Sequence, residues 1–296
     1  MTRLRLLSLL LLLVAVVLIG SFFAASIGLP RVESLARKAP TRTSLMRARA
    51  IEAARQGRRY AVDQRWVSYQ HISPMLRRAV LIAEDDAFFS HDGLDWNELK
   101  AAARANLKER RFVRGGSTIT QQLAKNLYLG EERTLIRKAR ELLIARRLER
   151  ALSKRRIFEL YLNLIEWGDG VFGIEAAAHR YFGVSSSDLT PRQAALLASV
   201  IINPRRYSPV QPSRRIEKRM RTILSRMWRR GFLSEWEYRV AIGEAPPPFN
   251  PFEWLFGPRH EAPTPPSPLP DSALAPEEGD AMAPDSLAPA DSAPPP

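Results

Sequence analysis

The sequence predicts an all-α fold, and two features of the chain support this. Apolar residues recur every three or four positions in one segment after another, and no segment alternates convincingly between apolar and polar residues as a strand would. Several of these segments begin with Ser or Thr, in places followed by Pro, as helices commonly do. A chain of 296 residues has room for one large domain or two small ones.

The charge of the chain is strongly positive and unevenly distributed. There are 45 Lys and Arg against 31 Asp and Glu, yet from Glu261 onward there are seven acidic residues and no basic one. A basic body of this kind suits an anionic partner such as nucleic acid, an acidic membrane surface or a phosphorylated substrate. The absence of cysteine excludes disulfides and thiolate metal sites.

Residues 1–30 are predicted to contain a short cytoplasmic end and a transmembrane anchor. Twenty-five uncharged positions separate Arg5 from Arg31, and most are Leu, Val, Ile, Phe or Ala. About 20 such residues cross a bilayer core as a helix. A cleaved signal peptide is the alternative, but its apolar core is usually only about 7–15 residues long. Arg3 and Arg5 favour a cytoplasmic N-terminus by the positive-inside rule.

Three further regions follow the anchor. Residues 31–69 are expected to be a juxtamembrane segment with little core. Its basic helix, Ser44 to Arg59, suits anionic headgroups, although a solvated helix face explains the charges equally well. Residues 70–245 form the main domain, and residues 246–296 form a Pro/Ala-rich acidic tail that is expected to be disordered.

A carboxylate on an apolar helix face lies early in the main domain. Ser73-Pro74 predicts a helix start, and the helix then runs from Met75 to about Asp86. Glu84 falls in the same row as Leu76 and Val80, near the negative end of the helix dipole. A carboxylic acid in such surroundings holds its proton more readily and suits acid–base catalysis near neutral pH. The alternative is a helix-terminal glutamate paired with a nearby arginine.

A glycine-rich turn before a later helix suits an anion. Gly115-Gly116 precedes Ser117, which with Thr118 offers a helix cap, and exposed amides at such a helix start suit a phosphate. Ser117, Gln121 and Lys125 recur every four residues, so they are expected to line one face of this helix.

A second glutamate lies at the edge of the apolar stripe of the helix predicted from Thr134 to about Leu152. Glu141 follows Arg137 and Lys138 by one turn, and a structural ion pair explains this arrangement locally. Two such glutamates beside a cationic, phosphate-ready face nevertheless fit glycosyl transfer from a sugar pyrophosphate better than they fit a scaffold.

The rest of the main domain is predicted as helices joined by turns. The predicted helices cover 95–107, 157–163, 174–182, 191–202, 214–230 and 234–242. Glu166 to Gly173 is expected to be a glycine-punctuated turn. The basic loop from Lys108 to Arg114 suits a membrane surface or an anionic substrate, although an ordinary solvated connection has the same composition.

Four segments together resemble one known family, and their order and spacing also fit. They are Glu84-Asp85-x-x-Phe88-x-x-His91-x-Gly93, Gly115 to Asn126, Arg137-Lys138-x-x-Glu141, and Glu159-x-Tyr161-Leu162-Asn163 through Tyr181-Phe182-Gly183. The chain closely resembles the family 51 peptidoglycan glycosyltransferases, in particular the monofunctional biosynthetic type with one N-terminal anchor. Bifunctional members add a transpeptidase domain with a Ser-x-x-Lys nucleophile, and no such motif occurs after residue 245.

The resemblance implies a lysozyme-like helical glycosyltransferase domain on the periplasmic side of the bacterial inner membrane. Such enzymes polymerise lipid II into β-1,4-linked glycan strands and release undecaprenyl pyrophosphate. The resemblance makes Glu84 the general base that accepts the proton of the acceptor sugar's 4-hydroxyl, whose oxygen attacks the anomeric carbon with inversion. It places Glu141 on the side of the leaving pyrophosphate, acting directly or through a divalent cation.

The same resemblance implies binding residues and partners. The implied substrate-binding residues are Asp85, Ser117, Gln121, Gln122, Lys125, Arg133, Arg137, Lys138 and Arg140. No cofactor is required by the sequence, and Mg²⁺ or Mn²⁺ near Glu141 is the open alternative. The implied partners are lipid II, the nascent glycan chain, the inner membrane and other cell-wall synthesis or division proteins, without nucleic acid.

Two other functions stay open on the sequence. A lytic transglycosylase or muramidase on the same scaffold would need one acid in a sugar cleft, but not the density of Lys and Arg between Gly115 and Arg140. A non-catalytic, membrane-anchored lipid-binding protein would have no use for two glutamates on apolar faces. The acidic tail could be a spacer, a docking segment for another wall-synthesis protein, or functionally neutral.

Overall fold

The computed structural model describes residues 2–109, 116–132 and 134–244, and this part of the chain is mostly helical. The helices are α1 (Thr2–Ser26), α2 (Ser44–Arg55), α3 (Pro74–Glu84), α4 (Trp96–Glu109), α5 (Ile119–Tyr128), α6 (Leu135–Ala151), α7 (Lys154–Leu164), α8 (Ile174–Phe182), α9 (Pro191–Val200), α10 (Arg214–Arg229) and α11 (Glu235–Ile242). The strands are β1 (Asp63–Gln64), β2 (Glu166–Gly168) and β3 (Val171–Phe172). The predicted helices of the main domain are therefore present, with ends that differ by a few residues.

The described residues are mostly helical, in agreement with the predicted fold class, but they also form a small three-stranded sheet that was not predicted. β3 lies between the other two strands, parallel to β1 and antiparallel to β2, with Asp63 opposite Val171. Strands of two or three residues are too short to show the alternation that identifies a strand in a sequence. The expected glycine-punctuated turn is thus the β2–β3 hairpin. Gly170 there has a φ of +76°, and a Cβ atom on it would come within 2.7 Å of the Ala61 carbonyl oxygen.

Helix α9 lies at the centre of the packing. It packs against α3 and α10, while α5 packs against α6 and α7. Every residue from Ala194 to Val200 is buried, because small and aliphatic side chains occupy all sides of this segment. Thr190 and Gln193 form a reciprocal capping box at its start, as the predicted Thr190 cap requires. The core thereby fixes the position of α3, whose last residue is Glu84.

The segment 31–69 packs onto the main domain, so the expectation of little core there is wrong. Val32, Leu35, Met46 and Ala53 are all buried. Helix α2 packs against α5 and ends at Arg55 instead of continuing to Arg59. The charged residues indicate a solvent-exposed side of this segment, whereas its buried apolar residues contact the body.

The N-terminal segment is helical from Thr2 to Ser26 and packs against α6. Arg140 donates hydrogen bonds to the carbonyl oxygens of Ile27 and Gly28, at 2.8 and 3.2 Å. Arg147 donates to those of Leu29 and Pro30. Within the ranges given above, no helix has the combination of length and apolarity that a membrane span needs.

Candidate active site

A cleft of about 600 Å³ lies where the end of α3, the start of α5 and one face of α10 converge. The polar and charged residues that line it are Glu84, Asp85, Asp86, Asp95, Glu98, Ser117, Thr118, Gln122, Arg215, Arg219 and Arg226. Carboxylates therefore lie mainly on the α3 side and arginines on the α10 side. The cleft thus has an acidic wall facing a basic wall.

Glu84 ends α3 at the wall of this cleft, and its side chain is 12% exposed. One carboxylate oxygen, Oε1, accepts a hydrogen bond from the Arg219 guanidinium at 2.8 Å. The other, Oε2, accepts one from the Gln122 side-chain amide at 3.1 Å. Arg219 also donates to the Ala83 carbonyl oxygen at 3.1 Å, so the guanidinium binds both the end of the helix and its carboxylate.

Burial raises the pKa of the Glu84 carboxyl above its ordinary value, because the charged form loses hydration. Arg219 and Gln122 act in the opposite direction, since both stabilise the carboxylate. The sequence predicted a raised pKa from the apolar helix face, and the structure agrees in direction. The alternative of an arginine pair is also present, although the partner comes from α10 and not from a neighbouring position.

A buried tyrosine orients the amide that holds Glu84. The Tyr161 hydroxyl donates to Gln122 Oε1 at 2.9 Å, which leaves the Gln122 NH₂ group directed at the carboxylate. Tyr161 is fully buried, and its pKa is raised well above the ordinary value, chiefly by burial and also by the nearby Glu84. It therefore stays protonated and serves as a fixed donor. Gln122, one of the predicted binding residues, thus contacts the predicted base.

Asp85 lines the cleft, and its carboxylate binds groups of the protein itself. Its Oδ2 atom accepts the Ile119 backbone N–H at 2.9 Å, in the first turn of α5. Its Oδ1 atom lies 2.9 Å from His91 Nε2, and His91 Nδ1 accepts the Gly93 N–H at 3.1 Å. Nε2 of a neutral His91 is therefore the donor to Asp85. Both oxygens of Asp85 are engaged within the protein, which does not favour the predicted binding role.

Glu141 belongs to a second polar cluster on α6. It is 4% exposed, and its two oxygens contact Arg137, at 2.7 Å, and the Lys138 ammonium. Lys138 also donates to Ser117 Oγ at 3.2 Å and to Gln121 Oε1 at 3.0 Å. The local ion pair expected from the sequence is present, and it joins α6 to the start of α5.

The two clusters meet at adjacent positions of α5. Gln121 contacts Lys138 in the Glu141 cluster, while Gln122 contacts Glu84. Gln121 is buried and its amide donates to the Gly93 carbonyl oxygen at 3.1 Å. Ser117 and Gln121 both contact Lys138, so these two lie on one side, as the predicted shared face requires. Gln121 is buried there, however, whereas Ser117 is exposed. Ser117 lies before α5, where Thr118 provides the cap.

The remaining predicted binding residues lie elsewhere. Lys125 lines a separate cavity of about 270 Å³ that also contains Gln122, Arg49 and Glu166. The predicted binding residue Arg140 contacts the end of α1 and does not contact the Glu141 cluster. Arg133, the loop from residue 110 to residue 115 and the tail from residue 245 lie outside the described residues.

Neither acidic cluster has the character of a cation site. The Glu141 oxygens are occupied by two cationic side chains, so a divalent cation does not fit there as the residues stand. Asp85, His91 and Asp95 lie close enough to share an ion. Asp95 Oδ1 accepts two backbone N–H groups at the start of α4, and both Asp85 oxygens are engaged within the protein. Hydrogen bonding within the protein accounts for both groups.

Three arginines of the cleft did not emerge from the sequence. Arg215, Arg219 and Arg226 lie on one face of α10, at spacings of four and seven residues. This spacing can be read from the sequence, but it predicts only a basic helix face and does not identify Glu84 as a partner. The partner, Glu84, is 135 positions away in the chain, and only the packing of α10 against α3 brings them together.

Comparisons with known proteins agree on one family. A family model described as Transglycosylase matches residues 50–228. The chain is 51% identical over 188 residues to the biosynthetic peptidoglycan transglycosylase of Nitrosomonas eutropha, covering 64% of this chain and 77% of that protein. It is 48% identical over 219 residues to the protein of the same name from Nitrosomonas europaea, covering 74% and 88%.

One solved structure is also similar over part of its length. The crystal structure of penicillin-binding protein 1A from Haemophilus influenzae matches with 31% identity and a TM-score of 0.29, covering 43% of this chain and 16% of that chain. A TM-score this low supports no conclusion about the fold. The sequence comparisons identify the family without this structure, because the family model matches more than half of the chain. The chain therefore belongs to the transglycosylase family, as a relative of the biosynthetic peptidoglycan transglycosylases, and it is a glycosyl-transferring enzyme.

Proposed function

We propose that this enzyme polymerises lipid II into β-1,4-linked peptidoglycan strands, with Glu84 as the general base. The observation that carries the proposal is the Glu84 carboxylate, which is fixed by Arg219 and Gln122 on the wall of a cleft of about 600 Å³. Two rigid partners hold it in one geometry, as a base needs to be held. The names of the relatives support a biosynthetic enzyme over a lytic one.

With Glu84 as the base, the proposed reaction accounts for each bond formed and broken and for the transferred proton. The 4-hydroxyl oxygen of the acceptor sugar attacks the anomeric carbon of the donor, and its proton passes to a Glu84 oxygen. The bond between the anomeric carbon and the phosphate oxygen breaks, and undecaprenyl pyrophosphate leaves with the electron pair. Attack opposite to the leaving group inverts the anomeric centre, and no covalent glycosyl-enzyme is formed.

Cationic side chains suit the leaving side of this reaction. A pyrophosphate that is already anionic needs positive charge more than it needs a proton donor, because charge develops on it in the transition state. Lys138 and Arg137 supply such charge beside Glu141, and Lys125 supplies it in the adjacent cavity. We assign Glu141 the role of orienting these two α6 cations. No step requires a metal ion.

We further propose that the chain is a single-pass inner-membrane protein with its catalytic domain in the periplasm. The proposal rests on the 25 uncharged positions between Arg5 and Arg31 and on the exposed leucines and valines of α1. The lipid carrier of the substrate is itself embedded in a membrane. Lipid II and the nascent glycan are then the partners, together with other cell-wall synthesis or division proteins.

The proposal is tested by the products that the detergent-solubilised full chain forms from labelled lipid II. We expect long glycan that lysozyme degrades, with release of undecaprenyl pyrophosphate. The same protein is also incubated with preformed glycan strands, which it should leave intact. Fragments from the preformed strands, with lipid II unconsumed, would instead establish a lytic enzyme on this scaffold.

A further inference from the structure

One strongly charged surface borders the site described above and shares only Arg226 with it. Helix α10 bears cationic residues on its solvent side, and we call this set the basic face: Arg214, Lys218, Arg221, Arg226 and Arg229. These residues are exposed, and they line an open groove of about 660 Å³ along the helix. Glu217 is the single acidic residue in that lining, and Arg192 pairs with it at 3.1 Å.

The basic face differs from the side of α10 that contacts the protein. Arg219 is paired with Glu84, and Arg230, just after the helix, is paired with Asp86. No carboxylate pairs with a member of the basic face among the residues that the structure describes. Like charges three and four residues apart repel one another on a helix. An anionic partner bound to the basic face would therefore reduce this repulsion.

The chain itself contains such a partner. We propose that the acidic tail, residues 261–296, docks on the basic face of α10 within the same molecule. The tail has seven carboxylates and no Lys or Arg, so its charge is complementary to the groove. It also lacks aromatic residues, which makes electrostatic attraction the main source of binding.

The geometry of the chain brings the tail within reach. The described body ends at Glu244, directly after α11, and α11 packs along α10 with Tyr238 stacked on Trp228 at 5.1 Å between ring centroids. Sixteen residues lie between Glu244 and Glu261, and a chain of that length can reach at most about 53–58 Å. A 16-residue helix such as α10 is about 24 Å long. A tethered segment at this distance has an effective concentration in the millimolar range.

Docking would have a consequence for the enzyme, because Arg226 lines both the groove and the cleft that contains Glu84. A tail on the basic face would thus lie at the edge of the cleft and would compete with an anionic substrate there. The contact would weaken as salt screens the charges.

The test is carbodiimide cross-linking of the detergent-solubilised full chain, followed by mass spectrometry of the peptides. Carbodiimide activates a carboxylate, which then forms an amide with a lysine amine in direct contact. Lys218 is the one lysine in the lining of the groove. We expect cross-links from the acidic tail to Lys218 at low ionic strength, reduced at least about fivefold in 1 M salt, where the Debye length is about 3 Å.

Two controls make the result specific. Lys218→Arg keeps the charge and removes the amine, so the cross-links at this position should disappear. A mixture of isotope-labelled and unlabelled chains separates docking within one molecule from docking between molecules. Cross-links that join labelled to unlabelled chains, or that reach Lys100 and Lys154 as efficiently as Lys218, would overturn the proposal.

A membrane is the other anionic surface that the basic face could meet. Vesicles containing phosphatidylglycerol are therefore added to the wild type and to a variant with the seven tail acids changed to Asn or Gln. Docking predicts that the neutralised tail increases vesicle binding, because the basic face becomes free. Equal vesicle binding by both proteins, with no tail cross-link to Lys218, would overturn the docking proposal.

Discussion

Single side chains decide whether Glu84 can act as a base. Burial raises its pKa and Arg219 opposes that rise, so the carboxylate is ionised over a wider pH range than burial alone would allow. A base must be ionised to accept a proton, and activity is therefore lost as the pH falls through its pKa. Arg219 is thus a positioning residue for the base and also adjusts its ionisation.

Replacing Arg219 with Gln should move the acid limb of kcat/KM to higher pH. The cation that stabilises the Glu84 carboxylate would be gone, so the pKa of this group would rise further. Arg219→Lys should show a smaller shift because it keeps the charge but not the same hydrogen bonds. The measurement is a pH–rate profile for the three proteins. An acid limb at the same pH in all of them would exclude this role for Arg219.

Gly93 is a residue whose backbone conformation supports the site. Its φ is +83°, and its carbonyl oxygen accepts hydrogen bonds from Thr118 and Gln121. Residues that have a side chain rarely adopt this φ. A Cβ atom added at Gly93 would lie only 3.1 Å from Glu149 Cγ.

Gly93→Ala should therefore lower the free energy of unfolding by about 1–3 kcal/mol. The matched control is Gly183→Ala, where φ is +69° but nothing lies within 4 Å of the added Cβ. Chemical denaturation should show the larger loss for Gly93→Ala. A Gly93→Ala protein as stable as the wild type would mean that this turn relaxes without cost.

The sequence predicted some of the site residues and could not predict others. Glu84 was recognisable because its apolar neighbours on α3 are close in the chain. The orientation of Gln121 toward the Gly93 carbonyl could not be predicted, because it depends on the packing of α5 against a turn that is distant in the sequence. The family resemblance implied that Arg140 binds the substrate, whereas its position on α6 directs it to the carbonyl oxygens of Ile27 and Gly28, just after α1.

At the scale of whole elements, a buried ion pair joins α2 to β2. Arg49 Nε donates to Glu166 Oε2 at 3.0 Å, and their side chains are 13% and 4% exposed. The other carboxylate oxygen of Glu166 is buried without a hydrogen-bond partner. Burial raises the pKa of Glu166, and Arg49 opposes this rise.

Arg49→Ala should lower the free energy of unfolding by about 3 kcal/mol at neutral pH, because it leaves a buried carboxylate unpaired. The folded pKa of Glu166 lies above its ordinary value, so the folded state binds that proton more tightly than the unfolded state does. The loss should therefore diminish as the pH is lowered through the folded pKa of Glu166.

The control for this prediction is Arg49→Met combined with Glu166→Gln, which removes both charges and should recover part of the stability. Urea denaturation at several pH values measures all three proteins. A loss that is the same at every pH would show that lost packing, and not the unpaired carboxylate, explains the effect of Arg49→Ala.

Elements were easier to predict than their packing. Thr118, Thr134, Thr190 and Ser234 cap helices whose periodicity already indicated them, because capping and periodicity are local. The three-stranded sheet was missed because it pairs β1 with β3 across more than 100 residues, and each strand is very short. The burial of α2 against α5 was missed because the apolar positions of α2 are mostly alanine and are interspersed with four charged residues.

On the scale of the whole molecule, the positive charge predicted from composition is concentrated on particular surfaces. Arg215, Arg219 and Arg226 line the cleft, and Arg137 and Lys138 surround Glu141. A substrate that carries a pyrophosphate fits this distribution, and a non-catalytic basic surface would not need the two buried glutamates. The attachment to the membrane and the identity of the substrate stay predictions.

The most direct test of the central claim is the rate of lipid II polymerisation by Glu84→Gln. Gln has nearly the same shape as Glu, keeps an oxygen for Arg219 and cannot accept the proton, so circular dichroism should show an unchanged fold. If Glu84 is the base, kcat should fall by about 10²- to 10⁴-fold, the usual contribution of a general base. A folded Glu84→Gln protein that polymerises lipid II within a few-fold of the wild-type rate would contradict this role and require a different base.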